Sequence, residues 1–212
     1  MPEQPRSAGA VSEFAFADGV AGPRKQPTQG RSKQTVAAIL EATFRVLDEG
    51  GELTTTRVAE VAGVSVGTLY QYFPNRDALI NALLADHLEA AIAAVERECE
   101  AVVGLPKAQA IERVVRAFLG AKAERVANAK IMNKAFGIGM LDERPLVKVA
   151  SQRAHVALAK LLAHYEDDAA AAKAQLGCDA LEGIARGTLT DPDRYTDPAW
   201  VDQVVRMIVA GL

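Results

Sequence analysis

The chain has 212 residues, room for one large domain or a small domain joined to a larger one. It is 50% hydrophobic and only 5% aromatic, with alanine supplying much of the apolar fraction, a composition that favours helix because alanine loses no side-chain entropy there. The formal net charge of −3 excludes a chain that coats nucleic acid through bulk charge, although not one with a local basic patch.

Residues 1–29 are rich in Pro, Gly, Ala and Ser and carry no helical stripe, so a disordered tail is expected over 1–30. The tail ends in "PRKQPTQGRSKQ", where Arg24, Lys25, Arg31 and Lys33 stand without an acid. Such a cluster is either a solvated tail or a phosphate-seeking arm. The N-terminus has acids and prolines but no continuous apolar segment, which predicts no signal peptide.

A helix is predicted from Ser32 or Thr35, with Val36, Leu40 and Phe44 (joined by Val46 and Leu47) on one face and Gly50-Gly51 as its stop. In "TTTRVAEVAG", Thr54 or Thr55 caps a second helix, Val58, Ala59 and Ala62 face inward, and Gly63 supplies a left-handed turn. Ser65 caps a third, with Leu69 and Phe73 inward at i, i+4. Pro74 ends it and Asn75 caps the next.

A long amphipathic helix follows from Arg76 to about Val103, striped by Leu79, Leu83, Leu84, Leu88, Ile92 and Val95, until Gly104 and Pro106 break it. Further helices are predicted over about 106–127, 129–137, 143–165, 168–189 and 197–212. No alternating strand pattern and no internal repeat occurs, so the expected fold is all-α, with about nine helices. The expected domains are a DNA-binding unit over 31–77 and a larger helical one over 78–212.

Two helices joined by a tight Gly-containing turn form a helix-turn-helix. Leu69 and Phe73 on the second helix face the first, which leaves Val66, Gly67, Thr68, Tyr70, Gln71 and Tyr72 off the core side or at its margin. The first turn of such a helix approaches base edges in the major groove, and small residues permit close approach. Tyr72 and Arg76 then reach phosphates. The pattern alone also admits Tyr70 and Tyr72 as aromatics packed on a neighbouring helix.

Residues 31–84 closely resemble the DNA-binding domain of the tetracycline-repressor (TetR) family of transcriptional regulators. "TTTRVAEVAGVSVGTLYQYFPNRDALINALL" matches that family's threonine start, its "AGVS-x-GTLY-x-YF" core and its continuation nearly position by position. The resemblance implies a three-helix DNA-binding domain joined to a helical domain that dimerises and holds an inducer pocket. It places Ser65, Val66, Gly67, Thr68, Tyr70, Gln71 and Tyr72 on the recognition helix and makes Arg76 a phosphate contact. Thr55 and Thr56, near the second helix's N-terminus, would offer hydroxyls and N–H groups to phosphate, and Arg31 and Lys33 complete the expected DNA-binding set. The short "GGEL" approach to the second helix departs from the pattern.

Beyond about Ala85 the likeness is one of architecture, except that "ALEGIARGTLTDP" is similar to the penultimate, dimerising helix of the family. Ala180, Gly183 and Gly187 would permit a close helix crossing, or equally pack inside one protomer. Trp200, Val201, Val204, Val205, Ile208 and Val209 make the last helix too apolar for a terminal helix in water. These residues, Val209 apart, form the expected homodimer interface.

Phe118, Met132, Phe136, Met140 and Tyr165, with Asn133 and His155 as polar anchors, form either an inducer cavity or a filled core. A cavity so lined suits a small hydrophobic or aromatic ligand better than a charged metabolite.

Enzyme chemistry is not expected: His87, His155 and His164 have no ligand set, "FGIGM" does not follow a strand, and no Ser or Cys sits on a nucleophile elbow. Cys99 and Cys178 lack metal spacing and read as small buried hydrophobes in a reducing compartment. No apolar run reaches the roughly 18 residues of a membrane span. The expectation is a cytoplasmic repressor without metal or cofactor, whose partners are double-stranded operator DNA, a second copy of itself and an unidentified small-molecule inducer, with no membrane contact.

Overall fold

The structure, a computed structural model, describes residues 30–126, 129–132, 145–165, 168–188 and 190–212. Among them are eight α-helices and one 3-10 turn, and no strand: α1 (Gly30–Asp48), α2 (Thr55–Ala62), α3 (Val66–Tyr72), α4 (Arg76–Ala101), α5 (Lys107–Ala123), α6 (Pro145–Ala163), α7 (Ala170–Gly187), the 3-10 turn Pro192–Thr196 and α8 (Pro198–Gly211). Residues 129–132 are also helical, at the start of the stretch expected over 129–137. The all-α fold expected from composition and periodicity is the fold observed.

The chain divides into two compact units, one ending at Asp86 and one running from His87 to Leu212. The break lies later along α4 than residue 77, because α4 is unbroken there and Ala78, Leu79, Ala82 and Leu83 are all buried. A domain boundary inside a continuous apolar helix leaves no mark in composition.

In the first unit α1 buries Val36, Ile39, Leu40, Ala42, Thr43, Val46 and Leu47, whereas Phe44, expected inward, is only half-buried. Thr43 is tolerated in that core because its hydroxyl donates to the Ile39 carbonyl one turn back (2.7 Å). Gly50 ends the helix at φ 72°, a backbone conformation that L side chains resist. The second helix is capped by Thr54, whose Oγ1 accepts the Arg57 N–H (3.2 Å), and ends at Gly63 with φ 67°. It buries Val58 and Ala59 and packs against both α1 and α3. Asn75 caps α4 by accepting the Ala78 N–H (2.8 Å).

The second unit is built on one apolar cluster. Val95, Cys99 and Val102 come from α4 and its end, Ile111, Val115 and Leu119 from α5, Leu158 and Leu162 from α6, Cys178 and Leu181 from α7, and Val204, Val205 and Ile208 from α8. The principal packings are α6 on α7 and α5 on α8. Gly177 belongs to this core, since a Cβ there would meet Leu212 Cδ1 at 3.0 Å and Leu158 Cδ2 at 3.4 Å. The "TDPDRYTDP" separator contains more order than its Pro and Asp content predicts. It forms the 3-10 turn, buries Tyr195 and hydrogen-bonds that residue's hydroxyl to Thr188.

One expectation about membranes needs qualification. Helix α4 contains an 18-residue window apolar enough, by length and composition, to cross a bilayer. Of that window 61% is buried within the protein, so core packing accounts for its apolarity.

Candidate nucleic-acid interface

The third helix is short and sharply delimited. Ser65 Oγ accepts the Thr68 N–H at 3.0 Å and lies 2.8 Å from the Thr68 hydroxyl, which fixes the first turn. At the other end the Phe73 N–H donates to the Leu69 carbonyl (2.8 Å), and Phe73 is already extended ahead of Pro74. Leu69 and Phe73 are wholly buried, which anchors one face of α3 in the unit.

The opposite face has no such role. Val66 is 36% exposed and Tyr70 42%, with Gly67 and Gln71 exposed beside them at i, i+1, i+4 and i+5. Tyr72 is half-buried at the margin. A Cβ on Gly67 would meet only Ser65 Oγ at 3.7 Å, so internal packing does not demand glycine there.

Of the expected phosphate contacts, Lys33, Thr56 and Arg76 are exposed and Thr55 is half-buried. Arg31 belongs to α1, but its side chain lies outside the described residues, as do Arg24 and Lys25. Thr55 and Tyr70 are brought together directly, their side-chain oxygens 3.1 Å apart. Arg57, also exposed, is held by Glu60 (3.0 Å) and Glu49 (3.9 Å) and so is less suited to a phosphate than Arg76.

Helices α2 and α3, joined through the turn at Gly63, form a helix-turn-helix, a motif whose second helix ordinarily enters the DNA major groove. Residues 39–83 match the family model described as bacterial regulatory proteins, tetR family, a span running from within α1 to within α4. The protein is a DNA-binding transcription regulator whose first unit is similar to the DNA-binding domain of that family. No curated protein matches the chain.

The second unit holds the other expected sites. Ala180 is half-buried on α7, Gly183 and Gly187 are exposed, and a Cβ added to either glycine would meet nothing within 4 Å. Trp200 and Val201 are half-buried. Val204, Val205 and Ile208, however, are buried in the core of their own protomer because α8 packs on α5. Packing within the protomer accounts for much of their apolarity, so that apolarity is not by itself the mark of a partner. The outward residues nearby are instead Met207, 54% exposed on α8, and Leu176, 60% exposed on α7.

Among the expected pocket residues, Phe118 and Tyr165 pack against the apolar cluster and Met132 is buried. The Tyr165 hydroxyl donates to the Leu105 carbonyl (2.8 Å), so it ties the end of α6 to the α4–α5 connection and is not free to anchor a ligand. His155 Nδ1 is buried without a hydrogen-bond partner among the described residues. Asn133, Phe136 and Met140 lie outside the described residues.

Sequence alone marks His87 only as a histidine without a ligand set and does not single out Lys122. They occupy the apolar stripes of their helices, His87 four residues after Leu83 on α4 and Lys122 seven after Val115 on α5. A titratable residue in a stripe position was the available signal. Among the described residues no group of His, Cys, Asp and Glu is arranged to hold a metal ion. Burial pushes both thiols, Cys99 and Cys178, up to about 12, which leaves them un-ionised and unreactive at neutral pH.

Proposed function

We propose that the protein is a cytoplasmic homodimeric repressor that reads operator DNA with α3 and is released by a small ligand held in its second unit. The observation that carries the DNA-reading part is the outward face of α3. Val66, Gly67, Tyr70 and Gln71 are exposed on a helix whose other face is fully engaged, within the segment that matches the family. Val66 and Gln71 supply base contacts in the major groove, while Arg76, Lys33 and Thr56 supply phosphate contacts.

Dimerisation through α7 and α8 is supported by the two open glycines. Glycine in a helix interior costs about 1 kcal/mol relative to alanine. Gly177 has a reason within the protomer, whereas Gly183, in the helix interior, and Gly187, at its last position, meet no described neighbour that requires glycine. Beside Gly187, Ile184, Trp200 and Met207 line a shallow groove of about 350 Å³ that a second copy's helix would fill. A twofold dimer would present two copies of α3 to successive major grooves, roughly 34–36 Å apart or more.

Ligand release is supported by the packing of Phe118 against the apolar cluster, by the burial of Met132 and by the continuity of α4 across Asp86 and His87. A ligand shifts the DNA-bound population only by its differential affinity for the two conformers. The direct experiment is a mobility-shift titration of purified protein on the DNA upstream of its own gene. Retardation that weakens steeply with salt supports the reading. Absence of any shift, with inverted repeats from neighbouring promoters also unbound, opposes it.

A further inference from the structure

Lys122 stands near the end of α5 with its ammonium 5.7 Å from the centre of the Phe118 ring, and no carboxylate meets it among the described residues. Burial, and then the charge of Arg125, draw its pKa down to about 8. Even so, the lysine is mostly protonated at neutral pH. His87, on α4, lies within reach of the charges of both Lys122 and Arg125. Its Nδ1 is shut off from solvent and has no hydrogen-bond partner among the described residues. Burial first, then those two cations, keep the imidazole neutral.

A partly buried ammonium that no described carboxylate meets, within electrostatic reach of an imidazole nitrogen left unsatisfied among the described residues, is a costly arrangement for a fold to retain. Acidic side chains are plentiful elsewhere in the same unit: Arg153 is clasped by Glu89 and Glu96, Arg116 by Glu112 and Asp202, and Lys130 by Asp193. Among the described residues Lys122 is left out of that pairing.

We infer that Lys122 and His87 form the polar end of the ligand site, and that the ligand is a small organic monoanion, a carboxylate on an apolar or aromatic body. This rests on the ligand-release reading above and departs from the neutral hydrophobic ligand expected from the apolar residues alone. The charge follows from the Lys122 ammonium, which no described carboxylate meets, within electrostatic reach of a neutral imidazole. The carboxylate accepts from the Lys122 ammonium and, with the proton on Nδ1, from His87. The Phe118 ring provides a wall for the apolar body.

The test uses the full chain with two matched pairs of probes, phenylacetate against phenylacetamide and decanoate against decanamide, titrated calorimetrically and by thermal shift. At least one acid should bind about tenfold or more tightly than its amide, the scale of a hydrogen bond to a charged group. In Lys122→Met and Lys122→Gln the acid should weaken and the amide should not, bringing the ratio near one. Acids that bind no better than their amides, including no binding by either, overturn the proposal, as does a preference surviving in both variants. Should the variants fold poorly, the NMR titration of the Lys122 side chain in the unaltered protein decides. Its midpoint should lie near 8 and rise in saturating acid, and a midpoint unmoved by either acid contradicts the assignment.

Addition of the same probes to the protein–DNA complex separates this inference from the reading beneath it. Acids that bind through Lys122 yet leave DNA bound uphold the anion site and defeat ligand release. Amides that release DNA while the acids do not uphold release and defeat the anion site.

Discussion

The Tyr70 hydroxyl on α3 and the Thr55 Oγ1 at the start of α2 lie 3.1 Å apart, joining the reading helix to the first turn of the helix that braces it. Tyr70 is thus held at the edge of the outward face, and the rotation of α3 about its axis is tied to the end of α2. Leu69 and Phe73 fix the helix from beneath, and this hydrogen bond steadies it from the side.

Tyr70→Phe keeps the ring and removes the tie. The bond is exposed, so stability should fall by no more than about 1 kcal/mol. DNA affinity should fall several-fold, and Thr55→Val should do the same, the double variant being little worse than either alone. Chemical denaturation and fluorescence anisotropy on one DNA duplex measure both quantities. Additive losses would show that the two residues contact DNA independently.

Arg76→Ala should weaken binding to every duplex by a similar factor and lower the slope of log affinity against log salt by about one unit. Gln71→Ala should leave that slope unchanged and alter which duplex is preferred. A sequence-selective effect of Arg76→Ala would contradict its assignment to phosphate.

Gly67→Ala separates folding from reading. The added methyl meets only Ser65 Oγ at 3.7 Å, so the fold should tolerate it and gain up to about 1 kcal/mol of helix stability. Affinity for DNA should nevertheless drop, because the methyl projects where base edges approach. Thermal melting and anisotropy on the same preparation test the two halves together.

Gly187→Glu should give a monomer of unchanged helicity, since nothing in the protomer crowds that position. Val205→Glu places a charge in the protomer's own core and should unfold the second unit. Light scattering and circular dichroism distinguish these outcomes. A folded monomer from Val205→Glu would contradict the packing of α8 on α5.

His87 carries a pH dependence of stability. Its pKa in the folded protein is drawn well below the ordinary value of 6.5, so the unfolded chain binds the extra proton first. Its neutral-form advantage is intact above pH 6.5 and declines as the pH falls through the window below it. Urea midpoints for the protein and for His87→Gln, taken from pH 7 to 5, should converge or cross as the pH falls. Parallel curves would mean that the imidazole is protonated without cost.

Much of the first unit was legible in the sequence because each boundary has a local chemical cause. Thr54, Ser65 and Asn75 cap the helices that follow them, Gly63 takes the left-handed turn, and Pro74 follows the last buried aromatic. The second unit was less legible because apolar residues do not state what they pack against. Val204, Val205 and Ile208 are equally suited to a dimer seam or a protomer core, and only tertiary packing distinguishes them. The 3-10 turn at Pro192–Thr196 escaped notice because a single buried tyrosine, bonded to Thr188, outweighs its four polar and turn-forming neighbours. Lys122 escaped because charge was read as exposure, and His87 was legible only as a histidine without a ligand set.

The central claim is that the outward face of α3 reads DNA sequence, and selection from a random duplex pool tests it most directly. The purified protein should enrich an inverted repeat whose half-sites lie about one helical turn or more apart, and a Val66→Ala, Gln71→Ala double variant should lose or change that sequence. Recovery of the same repeat by the double variant, or no enrichment by the unaltered protein at low salt, would contradict the account.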